Sequence, residues 1–404
     1  MTVTRIQRTT VGIVGAGPAG LMLSHLLGLA GIDSVAIDTR ERGEIENTHR
    51  AGILEQDSVR LLVDSGVSDR VLRDGHEHRG ISLRFDGADH RVDFQHLVGA
   101  STWLYPQTDV FVDLADARGR DGGDVRFGVR DTAIEDFTTD RPIIRFSDAD
   151  GTRTELRCDY LVGADGSRSL CRAQVAPDYR TQYFREYPFA WFGILAQAPP
   201  SSPELIYARS PHGFALISRR TDTVQRMYFQ CDPGESVEHW TDEQIWDELQ
   251  RRVAGSDGFS LREGPILEKT VLPFRSFVQE PMRRGRMLLA GDAAHTVPPT
   301  GAKGLNLALA DVGVLAEVLE RAIGHRDAAV LDDYTPRALT RVWKAQQFSY
   351  WMTTLLHRDE HGSDFDERRQ LGELHAIVGS EFGSRYLAEG YTGWPTPQQS
   401  VRVA

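Results

Sequence analysis

The sequence predicts an α/β fold of mixed α+β character: a parallel-sheet domain, a mixed-sheet domain inserted into it, and a helical C-terminal region. Three observations predict it. Short apolar runs, Val11-Gly12-Ile13-Val14, Tyr160-Leu161-Val162-Gly163 and Met287-Leu288-Leu289-Ala290, each lead into a glycine-bearing turn, as strands of a buried parallel sheet do. Residues 80–104 and 187–230 alternate apolar with polar side chains, as in Phe214-Ala215-Leu216-Ile217-Ser218, which suits a half-solvated mixed or antiparallel sheet. From Leu305 to Ile323 the apolar residues take a helical period. A length of 404 residues suits about two or three domains. We expect the first domain over 1–78, 105–186 and 273–325, the inserted one over 79–104 and 187–272, and the helical region over 326–404.

Taken in order, the strand at Val11–Val14 is followed by a glycine turn, a helix through Leu21–Leu27, a stop at Gly31 and a second strand, Ser34–Asp38. The turn is Gly15-Ala16-Gly17-Pro18-Ala19-Gly20, a G-x-G-x-x-G between strand and helix. Gly15 permits the tight turn, Gly17 lets backbone approach a pyrophosphate, and Gly20 lets helix and strand pack closely. The helix N-terminus then faces the phosphates, and Asp38 at the next strand end can accept from a ribose hydroxyl. This reads as a Rossmann-like dinucleotide site. Two further strands leave an aspartate at their C-terminal ends, Asp165 in Ala164-Asp165-Gly166 and Asp292 in Gly291-Asp292-Ala293, where α/β sheets bind ligands. Each alone is equally a polar turn. In between, Ile245, Leu249 and Val253 recur every four residues on a helix starting at Thr241. The loop Thr296 to Asn306 holds two prolines and two glycines and opens the long helix, whose N-terminus can stabilise an anion; a helix cap alone would also account for it. The Pro- and Gln-rich tail after Trp394 is expected to fray.

Composition removes other classes. Lys+Arg 46 against Asp+Glu 58 gives a net charge of −12, which repels nucleic-acid backbones. There is no apolar run of transmembrane length and no apolar segment of signal-peptide type near Met1, so a soluble cytoplasmic protein is expected. Cys158, Cys171 and Cys231 form no C-x-x-C, so no metal ligand set and no dithiol centre is expected.

The glycine turn and the two later Asp/Gly motifs, in this order, resemble the single-component flavoprotein aromatic hydroxylases. The resemblance runs from about residue 11 to residue 395 and is carried by Arg50 to Gln56, Glu204 to Ala208, Pro298 to Asn306, Arg341 to Ala345 and Ser349 to Thr353. It is narrowest for those members that hydroxylate 4-hydroxybenzoate at C3 to 3,4-dihydroxybenzoate. It implies tightly but non-covalently bound FAD, NADH or NADPH as transient co-substrate, O2, and a homodimer. It implies cofactor contacts at Gly15, Gly17, Ala19, Gly20, Asp38, Arg50 (pyrophosphate), Gln107, Asp165, Arg226 (beside the flavin), Arg275, Asp292 (ribityl chain), Pro299, Gly301, Leu305 and Asn306. It implies that Arg220 pairs with the substrate carboxylate, helped by Ser218 and Tyr228, and that Tyr207 bonds the phenol. Tyr391 then continues a proton relay, His78 ends it near solvent, and the Pro299 carbonyl faces the substrate hydroxyl. Taken alone, Tyr207 is equally a core tyrosine, Arg220 a surface charge, His78 part of a polar loop and Tyr391 a loop anchor.

Two departures bear on the nicotinamide cofactor. The segment after the second strand, Thr39 to Glu46, carries Glu41, Glu44 and Glu46 beside Arg40 and Arg42. Its acids would repel a 2′-phosphate, so NADH or dual use is expected. Arg168 stands where the family often has histidine. The alternatives are a hydroxylase of another para-substituted benzoate, such as 4-aminobenzoate, and a non-catalytic dinucleotide-fold binding protein.

Overall fold

Val11, Ile13, Val35 and Ile37 are almost wholly shielded from solvent, and strands apolar on both faces need cover on both. A computed structural model describes residues 4–48, 52–359 and 361–394. Among these residues, Arg5–Val14 lies inside an eight-stranded sheet, between Arg153–Gly163 and Ser34–Ile37, all parallel. Met287–Leu289 extends it in parallel beyond Arg153–Gly163, and Asp124–Arg126 extends it beyond Ser34–Ile37. The helices Pro18–Leu29, Gln107–Arg120 and Gly304–His325 share this sheet's apolar core. Arg153–Gly163 is longer than its apolar run. Parallel to Arg5–Val14 throughout, it pairs on its other side antiparallel with Ile143–Ser147 in its first half and parallel with Met287–Leu289 in its second.

The second sheet also has eight strands, and one pairing in it, Ile206–Ser210 with Gly80–Phe85, is parallel. One face packs on the helices Tyr334–Leu356, Asp364–Val378 and Glu381–Thr392 through Tyr207, Phe214, Phe348, Leu374 and Leu387. The other takes Ile245, Leu249 and Val253 of Asp242–Val253. Thr241 caps that helix in a capping box, its hydroxyl accepting from the Gln244 N–H at 3.2 Å.

The alternating stretches do not all join this sheet. Phe94–Val98 is a short helix, capped by Asp93 and ended by Gly99 at φ 65. Thr102–Leu104 pairs with Ile53–Glu55 and His76–His78 in a separate three-stranded sheet. Thr181–Ala196 and Ile266–Glu280 form one long antiparallel ribbon that runs past residues 187 and 272 at both strands' outer ends. Cross-strand hydrogen bonding continues there although the side chains from Thr181 to Glu186 are exposed, so the pattern of burial hid it. The three cysteines are free. The tail expected to fray, residues 395–404, lies outside the described residues.

Candidate active site

Three turns meet at one end of the parallel sheet. Gly15 has φ +104, and a Cβ there would stand 2.2 Å from the Ala164 carbonyl, so the first and second motifs lie back to back. A Cβ on Gly291 would meet Ala308 at 3.0 Å and Ala19 at 3.6 Å, which sets the third motif against the first helix. The strand ends are also tied together, Gly15 N to the Ile37 carbonyl at 2.7 Å, Ala164 N to Val14 at 2.8 Å and Ala290 N to Gly163 at 3.0 Å. Gly17 is different. A Cβ there would meet nothing within 4 Å, and it caps the helix Pro18–Leu29 with no side chain among the described residues claiming the first-turn N–H groups. That open helix terminus is what a pyrophosphate requires. Asp38 is buried beside it, accepting from Ala16 N at 3.0 Å and holding Arg40 through both carboxylate oxygens.

The other expected cofactor residues divide. Asp165 uses its carboxylate on the Ser169 hydroxyl (2.6 Å) and Cys171 N (3.0 Å), so it builds the turn. Asp292 is half-buried on the turn Gly291–Ala293. The Asn306 side chain is saturated, accepting from Glu55 N and Ser58 and donating to the Ile53 and Ala302 carbonyls, which leaves its backbone at the helix start for a ligand. Gly301 backs onto Ser349, where a Cβ would stand 2.7 Å from its hydroxyl. Leu305 is half-buried against the core, and Gln107 begins its helix. Arg275 is exposed on its strand, Arg168 is exposed, and Arg50 lies outside the described residues.

Sequence reasoning missed two supports of this site. Arg172 donates to the carbonyls of Asp292 (3.2 Å), Ala293 (2.9 Å) and Ser167, joining the two aspartate turns with one guanidinium. Asp311 accepts from Gly291 N at 2.9 Å and from His295 at 2.6 Å, both side chains being buried. Burial works against a charge on His295, but Asp311 outweighs it and the histidine pKa is raised. Partners 120 and 20 positions apart leave no local pattern to read.

A second cluster lines the mixed sheet. The Tyr207 hydroxyl is buried, 2.8 Å from that of Tyr391 and 3.1 Å from the Thr300 carbonyl. The carbonyl beside Tyr207 is thus that of Thr300, whereas the Pro299 carbonyl accepts from Ala302 N in a tight turn. Burial first, then each other's hydroxyl, sets these phenols. Tyr207 is pushed well above its usual pKa, and Tyr391 is raised although its bond to Tyr207 favours ionisation, so both stay protonated at neutral pH. Phe94 stacks on Tyr391 at 5.1 Å, and Lys303, wholly buried, donates to the Tyr391 carbonyl at 2.8 Å and to Glu55 at 2.7 Å.

Arg220 is half-buried and makes no side-chain hydrogen bond or ion pair among the described residues. Burial and the neighbouring Arg226 both lower its pKa. Arg226 has a buried Nη1 with no partner and lies over the Tyr228 ring at 5.4 Å. Asp109 and Glu268 oppose the lowering at Arg220 only from a distance, and two neighbouring guanidiniums with so little direct pairing suit an anion. Ser218 turns its hydroxyl to the Arg219 carbonyl at 2.8 Å and would rotate to serve a carboxylate.

His78 departs from expectation. It is 1% exposed rather than near solvent, because Thr102–Leu104 covers its strand. Both ring nitrogens, and the hydroxyl of Thr102 directly across the strands, are buried without partners among the described residues. Burial lowers its pKa to about 4, with Glu204 opposing. The folded value lies below the unfolded 6.5, so His78 supports the fold fully above pH 6.5 and withdraws that support as pH falls towards 4. His295 acts oppositely, losing its contribution only as pH rises through its raised value. His78 alone accounts for a loss on the order of 2 kcal/mol between pH 7.5 and 5, beside the contributions of other buried histidines such as His357. Thermal melts should show it as a difference, the acid slope being shallower in His78→Gln than in wild type by about that amount; an equal slope in the variant would refute this.

A family described as FAD binding domain matches residues 8–349. Along its whole length the chain is similar to the p-hydroxybenzoate hydroxylase of Acinetobacter baylyi (strain ATCC 33305 / BD413 / ADP1), with 44% identity over 98% of each chain. The chain belongs to the FAD-binding family of flavoprotein monooxygenases. It is 30% identical, over 80% of its length, to a 3-(3-hydroxy-phenyl)propionate/3-hydroxycinnamic acid hydroxylase of Mycolicibacterium gilvum (strain PYR-GCK), spanning 56% of that longer protein. Among solved structures, the fold matches p-nitrophenol 4-monooxygenase from Pseudomonas putida DLL-E4 with a TM-score of 0.80 and 19% identity, over 97% of this chain and 100% of that one. FAD is the flavoprotein's cofactor, and the open cradle at Gly17 with buried Asp38 fits it. No helix among the described residues is long and apolar enough to cross a membrane.

Proposed function

We propose that this flavoprotein hydroxylates 4-hydroxybenzoate at C3, giving 3,4-dihydroxybenzoate, as a cytoplasmic enzyme. The observation that carries the reading is a cationic pair, Arg220 and Arg226 at the hairpin of Gly213–Arg219 and Gln225–Cys231, together with a buried hydroxyl pair, Tyr207 on the same sheet and Tyr391 on the helix packed against it. A para-substituted phenolic acid presents a carboxylate at one end and a hydroxyl at the other. The similarity to a p-hydroxybenzoate hydroxylase supports the same substrate.

FAD, when bound, takes hydride from the nicotinamide and activates O2 for transfer to the aromatic ring. Gly17 and the helix behind it would hold the pyrophosphate, Asp38 a ribose, and the start of Gly304–His325 the electron-rich end of the flavin. Arg220 orients the acid through its planar fork. Tyr207 accepts the phenol proton while passing its own to Tyr391; His78, whose ring nitrogens make no bond to either tyrosine, is proposed as the relay's end on the family resemblance alone. The released electron density makes the ring carbon beside the oxygen the nucleophile. The wall of Phe214, Trp191 and Tyr228 excludes water.

The nicotinamide reading is NADH. Arg42 is engaged by Glu46 (2.7 Å) and Asp116 (2.5 Å), and Arg40 by Asp38, so neither cation is free for a 2′-phosphate. Steady-state assays should give a lower KM for NADH than for NADPH, by several-fold; the reverse order would overturn it. A homodimer is the proposed assembly. Phe365, Phe382 and Tyr386 of the last two helices are exposed and offer it an apolar surface. Light scattering at twice 45.1 kDa would support it.

Product analysis tests the function. FAD-loaded protein with NADH and 4-hydroxybenzoate in air should form 3,4-dihydroxybenzoate close to one-to-one with NADH consumed. NADH consumed with H2O2 alone would overturn the substrate reading.

A further inference from the structure

His357 follows the last turn of the helix Tyr334–Leu356 and is 1% exposed. Its Nε2 lies 2.7 Å from the Trp191 indole nitrogen, and its Nδ1 lies 2.8 Å from the Thr353 carbonyl. An indole N–H only donates and a carbonyl only accepts, so the ring is neutral, with its proton on Nδ1 and Nε2 accepting. The packing agrees. Phe189 stacks on the imidazole at 4.5 Å and 7°, Phe214 lies at 4.4 Å, and burial in this apolar cage pushes the histidine pKa down to about 3.

Trp191, held by that bond, lies 4.8 Å from the ring of Tyr228, and Arg226 covers the same ring. This is the carboxylate end of the pocket. The same helix also reaches the phenol end, where Thr353 Oγ1 and Thr300 Oγ1 are 2.9 Å apart and the Thr300 carbonyl accepts from Tyr207. One turn, Thr353 to His357, is bonded to both ends.

We infer that His357 is a positioning residue that sets the length of the aromatic-acid pocket, holding Trp191 against Tyr228 while Thr353 holds the Tyr207 end. The inference rests on the substrate reading above. Without an acceptor at His357 the Trp191 N–H is buried unpaired, a cost relieved by moving the indole. The carboxylate end then loosens, and a longer acid is less strongly rejected.

The test is the ratio of kcat/KM for 4-hydroxybenzoate over 4-hydroxyphenylacetate, longer by one carbon, in wild type, His357→Phe, His357→Gln and Trp191→Phe. Wild type should favour the benzoate. His357→Phe should lower that preference about tenfold, chiefly through the benzoate KM. His357→Gln, whose amide oxygen can accept, should restore most of it. Trp191→Phe removes the donor and should act like His357→Phe, which keeps the test open if that variant does not fold. A preference unchanged within about twofold in these variants, with only melting temperature lowered, would overturn the inference. Wild type forming no product from 4-hydroxybenzoate would overturn the substrate reading itself, and the inference with it.

Discussion

Tyr207→Phe should lower the rate of 3,4-dihydroxybenzoate formation by about 100-fold or more, within the range that a positioned proton acceptor contributes. The side chain is wholly buried, and Phe fills nearly the same space between Phe214 and Tyr391, so the fold should survive. What is lost is the oxygen 2.8 Å from Tyr391, and with it the route by which the substrate proton leaves. Carboxylate binding at Arg220 lies at the other end of the ring and should change only several-fold. NADH oxidation should therefore continue with H2O2 as the main product. Chromatographic product counted against NADH decides it, and unchanged coupling in the variant would remove Tyr207 from the relay. Tyr391→Phe should give a smaller loss in the same direction, because Tyr207 can still bond the phenol.

Arg220→Gln should weaken 4-hydroxybenzoate binding by about 100-fold, the loss expected when a desolvated charge pair is broken. Burial and Arg226 both work against this guanidinium in the free protein, and an arriving carboxylate relieves both. Arg220→Lys should recover only part of the affinity, since an ammonium cannot meet both oxygens in a plane. Retention of FAD should not change, because Arg220 is not part of the cradle around Gly17. Titration of the flavin absorbance measures both quantities, and an unaltered dissociation constant would move the carboxylate site to Arg226.

The fold was legible where chemistry is local. The glycine turn, Asp38 at the next strand end, the cap at Thr241 and the apolar strands at Leu161 and Leu288 depend on neighbours within a few residues. The support around the site is not of that kind. Glu55 is bracketed by Lys303, 248 positions away, and Arg341, 286 positions away. Asn306 spends its side chain on residues 53 to 58, and His78 is buried by a strand that alternation alone assigned to another sheet. Resemblance named Tyr207 and Tyr391 as partners in a relay, and their hydroxyls are 2.8 Å apart, one on the mixed sheet and one on the helix packed against it. Next to Pro299, the Thr300 carbonyl accepts from Tyr207, a contact between positions 93 apart that no motif spells out.

The parallel sheet also constrains how the chain is made. Arg5–Val14 finds Ser34–Ile37 soon after it, but its other neighbour Arg153–Gly163 follows only some 150 residues later, and Met287–Leu289 more than 120 residues after that. At about 5–20 residues per second the nascent first strand waits on the order of 10 s for this second partner. During that interval one edge of the young sheet is unpaired and its apolar residues are incompletely covered, and the sheet that carries all three cofactor turns cannot close until Met287–Leu289 has emerged. Yield in a recombinant host should therefore respond to translation speed and chaperone supply more than the stability of the finished protein would suggest.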